Sequence, residues 1–278
     1  MTRSGCRLRV VNKLSGSQVD KLGRRLRNTE TPSVEDLRLL EQVRRSHENA
    51  RLEVVQALLA EGLQGTSRLK TTSTIIEKLQ RESTMHLSRM QDIAGVRLVI
   101  DGERPDQDRV VERIHQLFPD AWTIDRRVRP SYGYRAVHVI VRTQGCLVEV
   151  QVRTYIQDLW AQIVERFADT VGRQIRYGEP PTDPDTLVAR GVTRQDFLGW
   201  IMLLGELNDG IERKGAVLAE AQELQPGTHV DATMAAHEHL RAKWDQADSQ
   251  VVRALLQLHQ RLAAAVEAEA EHGEEDQS

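Results

Sequence analysis

A chain of 278 residues with a formal net charge of -3 and an isoelectric point near 6.3 has room for one or two domains. It is too nearly neutral to coat nucleic acid, so any basic site must be local. Cys6 and Cys146 are its only cysteines, which excludes a disulfide framework and, with no CxxC pair, a structural zinc. No apolar run reaches signal-peptide or bilayer-spanning length, and a soluble protein of a reducing cytoplasm is expected.

Residues 1–63 are expected to form a helical layer. Val19, Leu22 and Leu26, then Val34, Leu37, Leu40 and Val43, then Leu52, Val55, Leu58 and Leu59 recur at helical spacing. Pro32-Ser33 separates the first two helices, with Ser33 a natural N-cap and Asp36 three residues on. None of the nine histidines is followed by Asp, so the His-Asp pair of a metal-dependent phosphohydrolase is absent.

Residues 64–185 carry the chemistry. In Arg68-Leu-Lys-Thr-Thr-Ser-Thr-Ile-Ile-Glu-Lys78, Thr74-Ile-Ile-Glu77 has the form of a capping box. Arg68 and Lys70 would precede a helix N-terminus, Thr74 would sit at it, and Lys78 would follow one turn later. Free backbone N–H groups, a hydroxyl and three cations suit a polyphosphate, although a well-capped basic surface helix reads the same way. Asp92 opens a strand in which Val96, Leu98 and Ile100 share one face and Arg97 points away from it. A helix over 106–118 and a strand over 122–128 lead to the loop 126–135, where Arg126, Arg127, Arg129 and Arg135 are offset only by Asp125.

The segment 134–154 reads as two strands joined by Gln144-Gly145. A two-residue loop sets Ile140 opposite Glu149, His138 opposite Gln151 and Ala136 opposite Arg153. One face is then Val137, Val139, Val141, Val148, Val150 and Val152, and the other gathers Tyr134, His138, Glu149, Gln151 and Arg153. Such a face is either a solvated side of an amphipathic hairpin or a reactive site on a rigid scaffold.

Ile156 to Phe167 is expected to be helical, with Leu159, Trp160, Ile163 and Phe167 on an apolar face. Gly178 to Asp185 is turn-rich and marks a boundary. Residues 186–278 read as packing or oligomer-contact helices without strand signals: from Phe197 to Leu207 or further, from Ala232 to Trp244, and from Val251 to about Glu269. Six acids in the last thirteen residues form an acidic tail. His237 and His239 are two residues apart, off any common helical face, and no metal role is assigned to them.

From Arg68 to Asp169 the sequence resembles the synthetase domain of RelA/SpoT-type alarmone synthetases. The family's pattern Arg-x-Lys-x-x-x-Ser-Ile-x-x-Lys stands here as Arg68, Lys70, Thr74, Ile75 and Lys78. Its Asp-x-x-x-x-Arg is Asp92 to Arg97, its Gly-Tyr-x-x-x-His is Gly133, Tyr134 and His138, and its Glu-Val-Gln-Ile-Arg-Thr is Glu149 to Thr154. The resemblance implies a mixed, partly antiparallel α/β (α+β) sheet of about five strands, nucleotidyltransferase-like, flanked by N- and C-terminal helices. It also implies transfer of the β,γ-pyrophosphate of ATP to the 3'-hydroxyl of GDP or GTP with Mg²⁺.

Carried over, Arg68 and Arg97 would sandwich the adenine while Lys70, Thr74 and Lys78 hold the triphosphate. Asp92 and Glu149 would be the catalytic, magnesium-binding carboxylates, and Glu149 would also draw the proton from the attacking hydroxyl. Tyr134 would stack on the acceptor base, with His138, Gln151 and Arg153 lining the centre. Tyr132 stands where the family usually has Asn, and Ala136 where it has Ser. The chain resembles the short, synthetase-only members, for which a homo-oligomer is expected. Two alternatives stay open: a toxin-type member acting on tRNA 3' ends or adenosine nucleotides, and a catalytically silent nucleotide- or RNA-binding regulator.

Overall fold

In a computed structural model, the described residues are 14–177, 179–189, 192–223 and 257. Cys6, the helices expected over 232–244 and, save Gln257, over 251–269, His237, His239 and the acidic tail lie outside them. Two compact units are present: Met1–Val96 with Ile140–Val150, and Arg97–Val139 with Gln151–Ser278.

The N-terminal helices form where their caps and periodicity place them. α1 spans Gly16–Arg27, and Ser15 and Gln18 close a reciprocal capping box at its start. α2 spans Val34–Ala60, with the Ser33 side chain accepting from the Asp36 backbone N–H. Leu22, Leu26, Leu40 and Val43 from these helices meet Ile75 and Leu79 of α3 (Thr72–Arg81) and Leu87, Met90 and Ile93. This is the core of the first unit. Each such side chain contributes roughly 1.5–3 kcal/mol on burial.

The second unit has its own core. α5 (Tyr155–Val171) buries Leu159, Trp160, Ile163, Phe167 and Val171 against Ile175, and against Phe197 and Ile201 of α6 (Arg194–Glu223). The helix expected over 106–118 is α4, Arg104–Leu117, with Pro105 in its first turn.

The central sheet is mixed and five-stranded, in the order β1-β2-β5-β4-β3. Its strands are β1 (Thr66–Leu69), β2 (Ala94–Ile100), β3 (Trp122–Asp125), β4 (Val137–Thr143) and β5 (Cys146–Thr154). β4 and β5 flank Gln144-Gly145, whose φ of 48° and 67° are the paired left-handed values of a tight two-residue hairpin. The turn is therefore as expected, but the second face of the hairpin is not solvated. His138, Glu149 and Arg153 are buried along with the valines, so both faces of the hairpin are covered. A further difference lies at 187–193, where β6 (Leu187–Ala189) and β7 (Val192–Thr193) pair antiparallel in a region read as carrying no strand signal. These strands are too short to show a period.

Candidate active site

β1 and α3 assemble a cationic cluster in the first unit. Arg68 is exposed on β1, and the Lys70 backbone N–H donates to Ile93 O at 2.8 Å, which ties the end of β1 to the segment preceding β2. Arg44 Nε adds a bond to Lys70 O at 2.9 Å. The helix starts earlier than expected: Thr71, not Thr74, is the N-cap and accepts from the Thr74 N–H at 3.3 Å. Thr74 occupies the first turn, and its hydroxyl donates to Thr71 O at 3.0 Å. The hydroxyl thus still stands among the free N–H groups of a helix N-terminus.

Lys78 Nζ donates to Asp92 Oδ2 at 3.0 Å, and Lys70 Nζ lies 3.4 Å from the same oxygen. Two cations on one carboxylate leave a net positive charge. Asp92 Oδ1, by contrast, is buried and accepts no hydrogen bond. Leaving a carboxylate oxygen dry and unbonded is costly unless something else uses it.

Glu149 is buried in β5, beside β2 in the sheet. The strands approach closely there: a Cβ on Gly95, three residues after Asp92, would lie 3.8 Å from Glu149 O. Among the described residues no group of three or more His, Cys, Asp or Glu side chains could hold a metal. Asp92, with an unbonded oxygen, and Glu149 are hard oxygen donors of the kind Mg²⁺ would take.

The second unit gathers the other candidate residues around one phenol. Tyr134 Oη lies 2.8 Å from His138 Nε2 and accepts from Arg153 Nη2 at 3.0 Å. The guanidinium also sits over the ring, 5.1 Å from its centroid. Arg153 donates to Gln151 Oε1 and to Asp158 Oδ1, both at 2.8 Å. Burial pulls the Arg153 pKa down, but the Tyr134 phenol and the Asp158 carboxylate outweigh it and leave it above the ordinary arginine value. Arg97 reaches Asp158 and Glu165, each at 3.6 Å.

Tyr134, His138, Gln151 and Arg153 are thus brought together, as are Lys70, Lys78 and Asp92. Arg68 belongs to the first unit and Arg97 to the second. Asp158 was missed: the sequence shows α5 as an apolar face, and the only signal was an acid in the first turn, five residues after Arg153. The basic loop needs correction. Arg127 is bound by Asp125 and Asp108, and Arg135 is buried against Glu206 and Asp209, so two of its four charges are neutralised within the fold.

Residues 67–168 match the family model described as a region found in RelA / SpoT proteins. This segment is similar to the RelA/SpoT region. An uncharacterised protein of Mycobacterium tuberculosis is 45% identical over 118 residues, 42% of this chain and 43% of that protein. The GTP pyrophosphokinase YjbM of Bacillus subtilis is 31% identical over 112 residues, 35% of this chain and 52% of YjbM. The chain therefore spans about half or less of the length of these relatives. Among solved structures, the small alarmone synthetase 1 from Bacillus subtilis aligns with a TM-score of 0.48 at 21% identity, covering 66% of this chain and 98% of that one. A GTP pyrophosphokinase family protein from Streptococcus pneumoniae aligns with a TM-score of 0.48 at 22% identity, covering 70% and 100%. The RelA/SpoT region begins within β1 and ends in α5, so it holds every candidate residue but not α6.

Proposed function

We propose that the chain is an ATP:GTP/GDP 3'-pyrophosphokinase, and the observation that carries this reading is Asp92. One of its oxygens is held by Lys70 and Lys78 while the other is buried without a partner, and Lys70 directly precedes the N-cap of α3. Cations and free N–H groups take a polyphosphate, and the unused carboxylate oxygen takes the cation that accompanies it. The similarity to a GTP pyrophosphokinase supports the same donor chemistry.

In this reading Lys70, Thr74 and Lys78 bind the triphosphate of ATP, and Arg68 and Arg97 hold its base. Asp92 and Glu149 would hold Mg²⁺, which when bound neutralises charge on the phosphate oxygens. The acceptor's 3'-hydroxyl oxygen attacks the β-phosphorus. The bond from that phosphorus to the α,β-bridging oxygen breaks, AMP leaves, and the hydroxyl proton passes to the Glu149 carboxylate. Tyr134 stacks on the guanine, with its ring held by Arg153 and His138, and Gln151 orients Arg153. Positioning and charge neutralisation are the main demands of such a transfer.

No helix of the described residues is long and apolar enough to cross a membrane, which agrees with a cytoplasmic nucleotide enzyme. Trp200, Leu203 and Leu207 are exposed at one-face spacing on α6 and support self-association through that helix. Purified protein incubated with ATP, Mg²⁺ and GDP or GTP should release AMP and a 3'-pyrophosphorylated guanosine nucleotide, resolved by ion-exchange chromatography. Absence of AMP with every guanosine acceptor would overturn the assignment.

A further inference from the structure

Tyr134 stands in a turn whose own sequence does not favour it. Ser131 and Tyr134 exchange two backbone hydrogen bonds, Tyr134 N to Ser131 O at 3.0 Å and Ser131 N to Tyr134 O at 3.3 Å. Tyr132 and Gly133 between them have φ of 52° and 84°. Glycine accepts a left-handed conformation freely, but a tyrosine there is strained. The turn must therefore be held from outside.

Arg135 does this from the adjoining position. Its Nη1 donates to Gly133 O at 3.1 Å and to Gly205 O of α6 at 3.0 Å. Its Nη2 donates to Glu206 at 3.0 Å, and its Nε lies 3.1 Å from Asp209 Oδ1. One guanidinium thus joins the carbonyl just before Tyr134 to three residues of α6. Asp209 is itself fixed by Arg104 and Arg213. Burial pushes the Asp209 carboxyl up, but the Arg104 hydrogen bond and the charges of Arg135, Arg104 and Arg213 outweigh it and hold it below the usual range. The neighbouring Glu212 accepts from Gln157 at 3.1 Å and from the hydroxyl of Thr154, the residue next to Arg153. Trp160, whose Nε1 donates to Ile201 O at 2.9 Å, packs under Gly133 and Gly205.

We propose that α6 is the clamp of the acceptor site: Arg135, held by Glu206 and Asp209, is a positioning residue that fixes Tyr134, so that acceptor affinity depends on a helix outside the RelA/SpoT region. This rests on Tyr134 being the acceptor-binding ring. Tyr134 is then gripped on both sides, its hydroxyl by Arg153 and His138 and its backbone by Arg135.

The test uses the full chain with Glu206→Gln, Asp209→Asn and Arg135→Lys, each checked by circular dichroism. Two readouts are taken: separate KM values for ATP and for GDP, and amide hydrogen exchange over residues 131–136. Losing one charge-assisted bond should raise the KM for GDP about ten-fold, leave the KM for ATP unchanged, and speed exchange in 131–136. Arg135→Lys should behave as a loss, since one ammonium cannot serve two carbonyls and two carboxylates at once. Unchanged exchange in Glu206→Gln and Arg135→Lys, equal rises in both KM values, or a parental acceptor KM in Arg135→Lys would each overturn the clamp. If Asp209→Asn does not fold, Glu206→Gln decides, because Glu206 lies at the exposed end of the network. If the parent transfers to no guanosine acceptor, the proposed activity falls, while the exchange measurement still supports or overturns the clamp.

Discussion

Replacing Gly133 by alanine should be far more damaging than the same change at Gly95, although both lie beside candidate residues. At Gly133 two costs add. The φ of 84° costs an L-residue about 1–2 kcal/mol. The new Cβ would also lie 2.8 Å from Trp160 Cζ2, well inside carbon–carbon contact. Trp160 cannot retreat: it is buried, its Nε1 is bonded to Ile201 O at 2.9 Å, and Gly205 lies against the same ring. Overpacking of this kind costs about 1–3 kcal/mol, which gives about 2–5 kcal/mol in total. At Gly95 the nearest atom is Glu149 O at 3.8 Å, an ordinary contact, and a strand glycine replaced by alanine gains about 0.5–1 kcal/mol. Scanning calorimetry of both variants is the assay, with roughly 2–4 °C of midpoint per kcal/mol. A Gly133→Ala protein that melts with its parent, or a Gly95→Ala protein that loses as much, would refute the reasoning.

Asp92→Asn and Glu149→Gln should each lower AMP release at least about 100-fold with unchanged circular dichroism, a loss in the range of removing a charge-stabilising group; parental turnover in either would remove that carboxylate from the site. Asn208 is buried on α6 with neither side-chain atom bonded, so Asn208→Leu should raise stability by about 1–2 kcal/mol in urea denaturation, and a loss would show that the amide is satisfied in solution. Asp125 and Asp209 are both held below the ordinary carboxylate pKa: burial pushes each up, and Arg127 in one case and Arg104 with its neighbouring arginines in the other outweigh it. Their contribution is therefore complete above an unfolded value of about 3.9 and is lost as pH falls below it toward the folded pKa. Urea midpoints should fall steeply below about pH 4, and less steeply in Asp125→Asn, whose unchanged slope would contradict the pairing with Arg127.

What was legible in the sequence is what rests on short-range pattern. Ser33 before α2 and Gln144-Gly145 between β4 and β5 announce themselves by residue type, and the valine alternation placed the hairpin. Thr71-Thr-Ser-Thr74 offers several hydroxyls as caps, and Glu77 drew the expected start three residues too late; the backbone chose Thr71. That the polar face of the hairpin is buried depends on what packs over it, which no pattern within 134–154 encodes. The Lys70, Lys78 and Asp92 cluster was legible as parts, through their spacing, but not as one ion pair shared by two lysines. Arg135 to Asp209 was illegible for a different reason. The partners lie more than 70 residues apart, and a buried ion pair leaves no periodic trace in either segment.

The arginines of 126–135 show how such long-range pairing changes a functional argument. Counted in sequence, four cations against one acid make a surface that an RNA backbone could recognise, and RNA affinity scales with the number of phosphates neutralised. Counted in the structure, Arg127 is occupied by Asp125, Asp108 and Gln107, and Arg135 by Glu206, Asp209 and two backbone carbonyls. Moving Arg135 to a phosphate would break its bonds to the Gly133 and Gly205 carbonyls and take one of three arginines from the buried Asp209, a penalty that exceeds what an exposed phosphate contact returns. Arg127 is therefore taken up by Asp125, Asp108 and Gln107, and Arg135 by α6 and the carbonyl before Tyr134, so neither reaches a polyanion without giving up those partners.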